Sequence, residues 1–381
     1  MLLLQFIFWF LIVLIAHSYL FYPLWMKKRA QKQENTHQPN TYFPSVSVLI
    51  AAYNEEQIIV EKLNSTLNTT YPAEKLSIWV GSDKSSDGTD DIVRKFAKKF
   101  PNVHLVRFEE RMGKPQIINH LVENCQTDVL ILTDADTLFL SDTIPNLVKP
   151  FEDEEIGGVQ AYFRSKTEEK VDVAKQELSY NLRELQIKIG QSKSGCVIGA
   201  YGACYAIRKS LYHPVPLGFS VDDFYIFMKI LELGKKTVVA QNAICHLEIS
   251  GKGKEEFARK VRIGKGNYQN LYALTAFWNP FKNKASYYYW SHKVLRWLTP
   301  FFLMLVFFSN LILALEHPFY FRIFLLQVSV YLLATLDLFL KSKNIHFGFL
   351  RFASHFMLMN IALFIGFLRF IKADKNSIWK H

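Results

Sequence analysis

Apolar positions run almost unbroken at both ends of the chain and come in short bursts through its middle. Residues 2–25, "LLLQFIFWFLIVLIAHSYLFYPLW", exceed the roughly 20 mainly apolar residues that cross a hydrocarbon layer, and Lys27, Lys28 and Arg29 follow them. This pattern predicts a membrane anchor with its C-terminal end in the cytoplasm. A cleaved signal peptide would carry basic residues ahead of the apolar run and small residues at a cleavage site, and the sequence has neither. Further spans are predicted over residues 294–315, 320–340 and 347–370, the first two separated by the turn "EHPF". Three such spans would leave Lys372, Lys375 and Lys380 outside, against the positive-inside bias. One segment is therefore expected to be interfacial or re-entrant, and Arg351 and His355 single out the last.

The middle alternates. Residues 30–44, "AQKQENTHQPNTYFP", read as a polar linker. Then "SVSVLIAAYNEEQIIVEKLNSTLN" gives a short apolar strand, a polar turn and an amphipathic helix. "KLSIWVGSDKSSDGTDDIVRKFAKKF" repeats the unit, "NVHLVRF" supplies a third strand and "VLILTDAD" a fourth. Strands alternating with helices predict an α/β fold with a mostly parallel central sheet covered by helices.

Composition narrows the partners. The 381 residues are 50% hydrophobic and 15% aromatic, with a formal charge of +11. The basic residues cluster beside the apolar segments and around an acid-rich middle, which suits anionic head groups or phosphorylated substrates and argues against nucleic acid. Cys125, Cys196, Cys204 and Cys245 lack CxxC spacing and read as core residues in a reducing compartment. Nothing in the pattern sets an oligomeric state.

Candidate chemistry lies where acids interrupt apolar runs. Asp134 and Asp136 end the fourth strand, at the edge where open α/β sheets bind ligands. Asp83 follows the second strand, while Asp87 and Asp90 near it suit capping. Lys114, in "RMGKPQIINHLVENC", precedes an amphipathic helix. Gly199, Gly202 and Ala203 permit close backbone approach, and Asp222 and Asp223 open a helix ending near Gly234. Paired carboxylates with substrate phosphates hold Mg²⁺ or a similar ion; Lys114 and basic residues further on would neutralise a diphosphate; Asp223 would take a proton from an acceptor hydroxyl. Glycosyl transfer fits these parts.

In this ordered set the chain resembles the family 2 glycosyltransferases, in the membrane-bound branch of cellulose, hyaluronan and poly-N-acetylglucosamine synthases and ceramide glucosyltransferases. The resemblance implies a GT-A nucleotide-sugar-binding fold flanked by transmembrane helices. "VLIAAYNEE" is similar to the family's opening strand and turn and implies that Ala52, Tyr53 and Glu55 lie near the nucleoside. "VGSDKSSDGT" implies that Asp83 contacts the base, and "RMGKPQIIN" that Lys114 approaches the donor phosphates. "TDAD" resembles the metal-binding Asp-x-Asp, implying Mg²⁺ or Mn²⁺ at Asp134 and Asp136, with Asp136 the direct ligand. "VDDFYIFMKILELGKK" implies Asp223 as catalytic base, with Asp222 replacing the usual glutamate. His246 is a further candidate for the metal or the acceptor.

The family's Gln-x-x-Arg-Trp segment is altered. "RKVRIG" keeps Arg262 for the diphosphate but has Arg259 and Ile263 in place of glutamine and tryptophan, which argues against a held, growing polysaccharide. The implied protein takes a UDP-sugar donor and a membrane lipid or lipid-linked glycan acceptor. It would be integral to a bacterial inner membrane with its catalytic domain facing the cytoplasm. Expected divisions are an anchor at 1–26, a linker at 27–44, the GT-A domain at 45–250, interfacial acceptor-side helices at 251–292, membrane segments at 293–371 and a basic tail at 372–381. The competing readings are a processive polysaccharide synthase, a nonenzymatic transport or scaffold protein, and a membrane-bound nucleotidyltransferase.

Overall fold

A computed structural model describes residues 1–31, 42–165, 172–247, 253–342 and 350–372. Most of the expected linker, and Lys343, Lys375 and Lys380, lie outside the described residues. From the N-terminus, helix α1 (Leu2–Ala16) passes through a π-turn at His17–Phe21 into α2 (Tyr22–Ala30). The alternation then runs β1 (Val46–Ala52), α3 (Ile59–Leu67), β2 (Leu76–Ser82), α4 (Thr89–Lys99), β3 (Val103–Arg107), α5 (Lys114–Asn124) and β4 (Val129–Thr133). Next come β5 (Thr137–Phe139), α6 (Thr143–Val148), β6 (Ile156–Ser165), α7 (Asp172–Ser192), β7 (Cys204–Arg208), α8 (Asp222–Glu232) and β8 (Lys236–Leu247). The last helices are α9 (Gly253–Ala273), α10 (Lys284–Tyr289), α11 (Leu295–Glu316), α12 (Pro318–Ser342) and α13 (Leu350–Ile371).

The chain divides into two compact units, one holding Trp25–Lys252 and Ala273–Tyr288, the other Met1–Leu24, Gly253–Tyr272 and Tyr289–Asp374. In the first, the described strands form an eight-stranded sheet in the order β3-β2-β1-β4-β7-β6-β8-β5. Strands β3, β2, β1 and β4 are mutually parallel, as the local βα repeats predict. All of β1 and β4 is buried, which is why these strands are apolar on both faces. The other half is mixed. β7 pairs antiparallel with both β4 and β6, β6 and β8 run parallel, and the three-residue edge strand β5 is antiparallel to β8. The turn of direction at β7 brings the start of that strand beside the end of β4, with Thr133 opposite Cys204.

In the second unit the apolar stretches are helices. Among the described residues, four are long and apolar enough to cross a membrane: Leu2–Ala30, Lys284–Glu316, Pro318–Leu340 and Leu350–Ile371. They fall on the four apolar stretches read from the sequence, and the last, expected to be interfacial or re-entrant, is a helix whose length and composition suffice to cross. Phe8 and Leu11 of α1 pack with Val306 and Leu313 of α11 and Tyr320 of α12. Their few polar positions pair: Asn310 Nδ2 donates to Gln327 Oε1 at 3.0 Å, and Ser354 Oγ to Asp337 Oδ2 at 2.5 Å. Gly264 and Gly366 let α9 and α13 meet backbone to backbone, since a Cβ on Gly366 would stand 2.7 Å from the Gly264 carbonyl carbon.

Candidate active site

The loops at the C-terminal ends of β1 and β2 are locked together. Asn54 and Lys84 hold positive φ (54° and 58°), a conformation that costs a non-glycine residue energy and persists where its surroundings fix it. Here the fixing bonds are visible. Ser86 N–H donates to Asn54 Oδ1 at 2.9 Å, Glu55 N–H to Thr89 Oγ1 at 2.8 Å and Gly88 N–H to Glu56 Oε2 at 3.0 Å. Ala52, at the end of β1, accepts from Asp83 N–H at 2.8 Å.

Asp83 is buried and organises the next loop. Its carboxylate accepts from Met112 N–H at 2.6 Å, Gly113 N–H at 3.2 Å and Arg111 Nε at 3.1 Å, and the Arg111 guanidinium lies 3.3 Å from the centroid of the Tyr53 ring. Gly113, at φ 79°, makes the turn into α5, whose first residue is Lys114. Lys114 Nζ then reaches Asp134 Oδ1 at 2.5 Å.

Asp134 and Asp136 sit on the link between β4 and β5. Asp134 N–H donates to Ala203 O at 3.1 Å, tying this link to the residue before β7. Adjacent Gly202 faces the acid of α8: a Cβ there would lie 2.9 Å from Asp223 Oδ2. Two further contacts shape this wall, Lys188 Nζ donating to Gly199 O at 2.7 Å and to Gln160 Oε1 at 2.8 Å.

These acids are crowded without enough cations among them. Burial, the Asp136 and Asp134 charges and Asp87 push the Glu55 carboxyl up to about 7. Asp136 is exposed on one side, yet desolvation on its inner side and the Asp134 charge push it up to about 6. Asp223, half-buried, is also pushed up to about 6, by burial and by Asp222 beside it. Burial works against the Lys114 ammonium, but Asp134, Asp222 and Asp223 outweigh it and hold its pKa above the usual lysine value. Acids from the end of β4 and the start of α8 therefore share one electrostatic neighbourhood centred on Lys114.

Among the described residues no three His, Cys, Asp or Glu side chains form a complete metal-holding group. The fit is instead that of a cation shared with a substrate. Two hard carboxylates, one paired with Lys114 and the other raised by desolvation and its neighbour's charge, suit an ion whose shell phosphate oxygens would complete.

The profile of Glycosyl transferase family 2 matches residues 47–215, which span β1 to the loop after β7. Over these residues the chain is similar to glycosyl transferase family 2. The β-monoglucosyldiacylglycerol synthase of Trichormus variabilis is 32% identical to this chain over 119 residues, 31% of this chain and 25% of that protein. The poly-β-1,6-N-acetyl-D-glucosamine synthase of Staphylococcus epidermidis is 24% identical over 243 residues, 63% of this chain and 58% of that protein. The chain thus spans between a quarter and about three-fifths of the length of these curated relatives. A solved mannosyltransferase of Pyrobaculum calidifontis, in complex with GDP-Man and Mn²⁺, superposes with a TM-score of 0.71 at 23% identity, covering 97% of this chain and 99% of that one. The fold is GT-A-like.

In the sheet unit Glu55 feels the charges of Asp134 and Asp136, and Lys114 pairs with Asp134 and feels those of Asp222 and Asp223. Asp83 stands at one side of this set, engaged with Arg111 and the 112–113 backbone. His246 lies on β8 opposite Leu138, two residues past Asp136, and its Nδ1 is buried with no hydrogen bond among the described residues. Arg262 is half-buried on α9, in the other compact unit.

Sequence reasoning passed over Arg111, Lys188 and Lys62. Lys62 is fully buried in the sheet unit, and burial pushes its ammonium down to about 8. The signal was present: Lys62 falls in the buried stripe Ile59, Lys62, Leu63, Thr66 of α3, where a solvated lysine does not belong.

The Gly202 contact gives one expected result. Gly202→Ala places a methyl against Asp223 and displaces its carboxylate, so kcat should fall by about 10²-fold while the donor KM stays near its original value. Steady-state kinetics over a donor series checks the split.

Proposed function

We propose that the chain is an inverting glycosyltransferase that moves a sugar from a nucleotide-sugar, in the first instance a UDP-sugar, to a membrane lipid or lipid-linked glycan. The observation that carries the reading is the convergence on Lys114, whose ammonium pairs with Asp134 and feels Asp222 and Asp223. One end of this neighbourhood suits a diphosphate and the other a hydroxyl about to lose its proton.

Asp136, with Asp134 beside it and the orphaned Nδ1 of His246 as a further donor, would hold Mg²⁺ or Mn²⁺, which when bound supplies positive charge to the donor diphosphate. Lys114 stabilises the negative charge that grows on the leaving nucleoside diphosphate. The locked loops carrying Ala52, Tyr53 and Asp83 form the nucleoside face; Asp83 acts there through the Arg111 and 112–113 loop that it holds. Asp223 accepts the acceptor hydroxyl's proton as that oxygen attacks the anomeric carbon. One displacement inverts that carbon, and the nucleoside diphosphate leaves.

The four candidate spans, with Lys27, Lys28 and Arg29 in the last turn of α2, support a membrane-resident enzyme with the sheet unit on the cytoplasmic side, as in a bacterial inner membrane. The names of relatives include a glucosyldiacylglycerol synthase and a structure holding GDP-Man, so the donor test takes both UDP- and GDP-sugars. Purified full-length protein in detergent, given these donors and a total lipid extract, should release nucleoside diphosphate and yield a lipid heavier by one sugar on mass analysis. Long polymer would favour a processive synthase, pyrophosphate release a nucleotidyltransferase, and no turnover with any donor would remove the proposal.

A pH profile follows from Asp223. A base raised to about 6 is protonated, hence inactive, below that value, so kcat/KM should fall tenfold per unit as pH drops below about 6 and level off above it. Because Asp222 is a named cause of the rise, Asp222→Asn should move the midpoint to lower pH.

A further inference from the structure

Beneath the Asp134–Asp136 link lies a cation that the reaction above does not use. Lys62 enters from α3 and is 0% exposed. Its Nζ donates to Thr133 Oγ1 at 2.8 Å and to Thr137 O at 2.5 Å, and stands 3.9 Å from the centroid of the Phe139 ring. The three directions of an ammonium are thereby filled by a hydroxyl, a carbonyl and an aromatic face. Thr133 closes β4 and Thr137 opens β5, so the two hydrogen-bond acceptors bracket Asp134, Ala135 and Asp136.

The clamp continues past the loop. Thr133 Oγ1 donates in turn to Ala203 O at 2.8 Å, the same carbonyl that accepts Asp134 N–H at 3.1 Å. Ala203 follows Gly202, which abuts the Asp223 carboxylate. One buried ammonium thus fixes both ends of the Asp-x-Asp link and, through Thr133, the strand end against which the base is set.

We propose that Lys62 is a positioning residue of the cation site: it holds the Asp134–Asp136 link in the conformation that receives a divalent ion and supplies a fixed positive charge beneath the two acids. The inference rests on the proposed glycosyl transfer. A buried lysine kept for folding alone would be a poor choice, because desolvating a charge opposes folding and an apolar side chain of the same length fills that space without the penalty. Its acceptors, by contrast, are backbone and side-chain atoms of the loop that carries the acids.

The test is Lys62→Met, which keeps the length and removes the charge and donors, with Thr133→Val as a second variant that removes the hydroxyl acceptor and keeps the β-branched shape. Mn²⁺ binding is read by electron paramagnetic resonance on the full chain in detergent with UDP present, alongside the melting temperature. Lys62→Met is expected to melt cooperatively, to bind Mn²⁺ at least about tenfold more weakly, and to regain kcat at high Mn²⁺. Thr133→Val should show a smaller loss of the same kind. Such metal rescue is a response that a merely structural defect would not give. Unchanged Mn²⁺ affinity in a folded Lys62→Met overturns the inference while leaving the proposed reaction standing; should that variant not fold, unchanged affinity in Thr133→Val overturns it. Failure of the unmodified chain to bind Mn²⁺ with UDP would bring down the proposed reaction, and this inference with it.

Discussion

Asp223→Asn should lower kcat by about 10²- to 10⁴-fold and leave donor binding nearly intact. Asparagine is close in shape to aspartate, so the space left by Gly202 still admits it, and its Oδ1 can still accept from Phe224 N–H, a bond of 2.8 Å. What disappears is basicity. Two features already described suit the native carboxylate to the proposed role: burial and the Asp222 charge raise its affinity for a proton, and it stands at the start of α8. Equilibrium titration with nucleoside diphosphate, set against single-turnover transfer, separates binding from chemistry. A variant that kept more than a tenth of the native rate would remove Asp223 from the role of base.

Asp136→Asn should lower activity by on the order of 10²- to 10³-fold and move the Mn²⁺ dependence to higher concentration. Asp134 is already engaged by Lys114 at 2.5 Å, whereas Asp136 is exposed on one side and carries a carboxyl raised to about 6 by desolvation and by its neighbour. A carboxylate raised by desolvation and by a like charge beside it is the natural receiver of an added cation. Activity measured across a Mn²⁺ series checks the shift, and circular dichroism shows that the variant is folded. An unchanged metal dependence would move the ion to other ligands.

The two effects differ in kind, which makes the pair informative. Loss of the base should survive any concentration of metal, while loss of the ligand should be partly relieved by it. The distinction follows from where the residues stand. Asp136 belongs to the β4–β5 link that Lys62 clamps, and Asp223 to a helix beside Gly202, whose neighbour Ala203 accepts from Asp134 N–H.

The local half of the fold was readable in the chain. Strands β1 to β4 are joined by short helical crossovers, so each apolar burst pairs with a near neighbour, and acids at their ends fall along one edge. Asp134, Asp136, Asp222 and Asp223 could be found that way because a carboxylate after an apolar run or doubled at a helix start is locally unusual. The mixed half was not readable. The insertion of β7 between β4 and β6, and the sharing of β8 between β6 and β5, depend on partners distant in sequence with no periodicity to announce the pairing.

Among the site residues, Asp83 shows the same division. Its place after β2 was plain from the pattern, but the donors that occupy it, Arg111 Nε and the N–H groups of Met112 and Gly113, come from a loop whose course depends on a positive-φ glycine. Lys62 stands on the apolar stripe of α3, but its lack of any path to water follows from α3 packing over β5, which the sequence does not announce.

The most direct measurement is the anomeric configuration of the product, read from the proton coupling of the transferred sugar by nuclear magnetic resonance. If transfer runs by the proposed single displacement with Asp223 as base, an α-linked nucleotide-sugar should give a β-linked glycolipid. An α-linked product would mean two displacements or a different attacking group, and would contradict the assignment of Asp223.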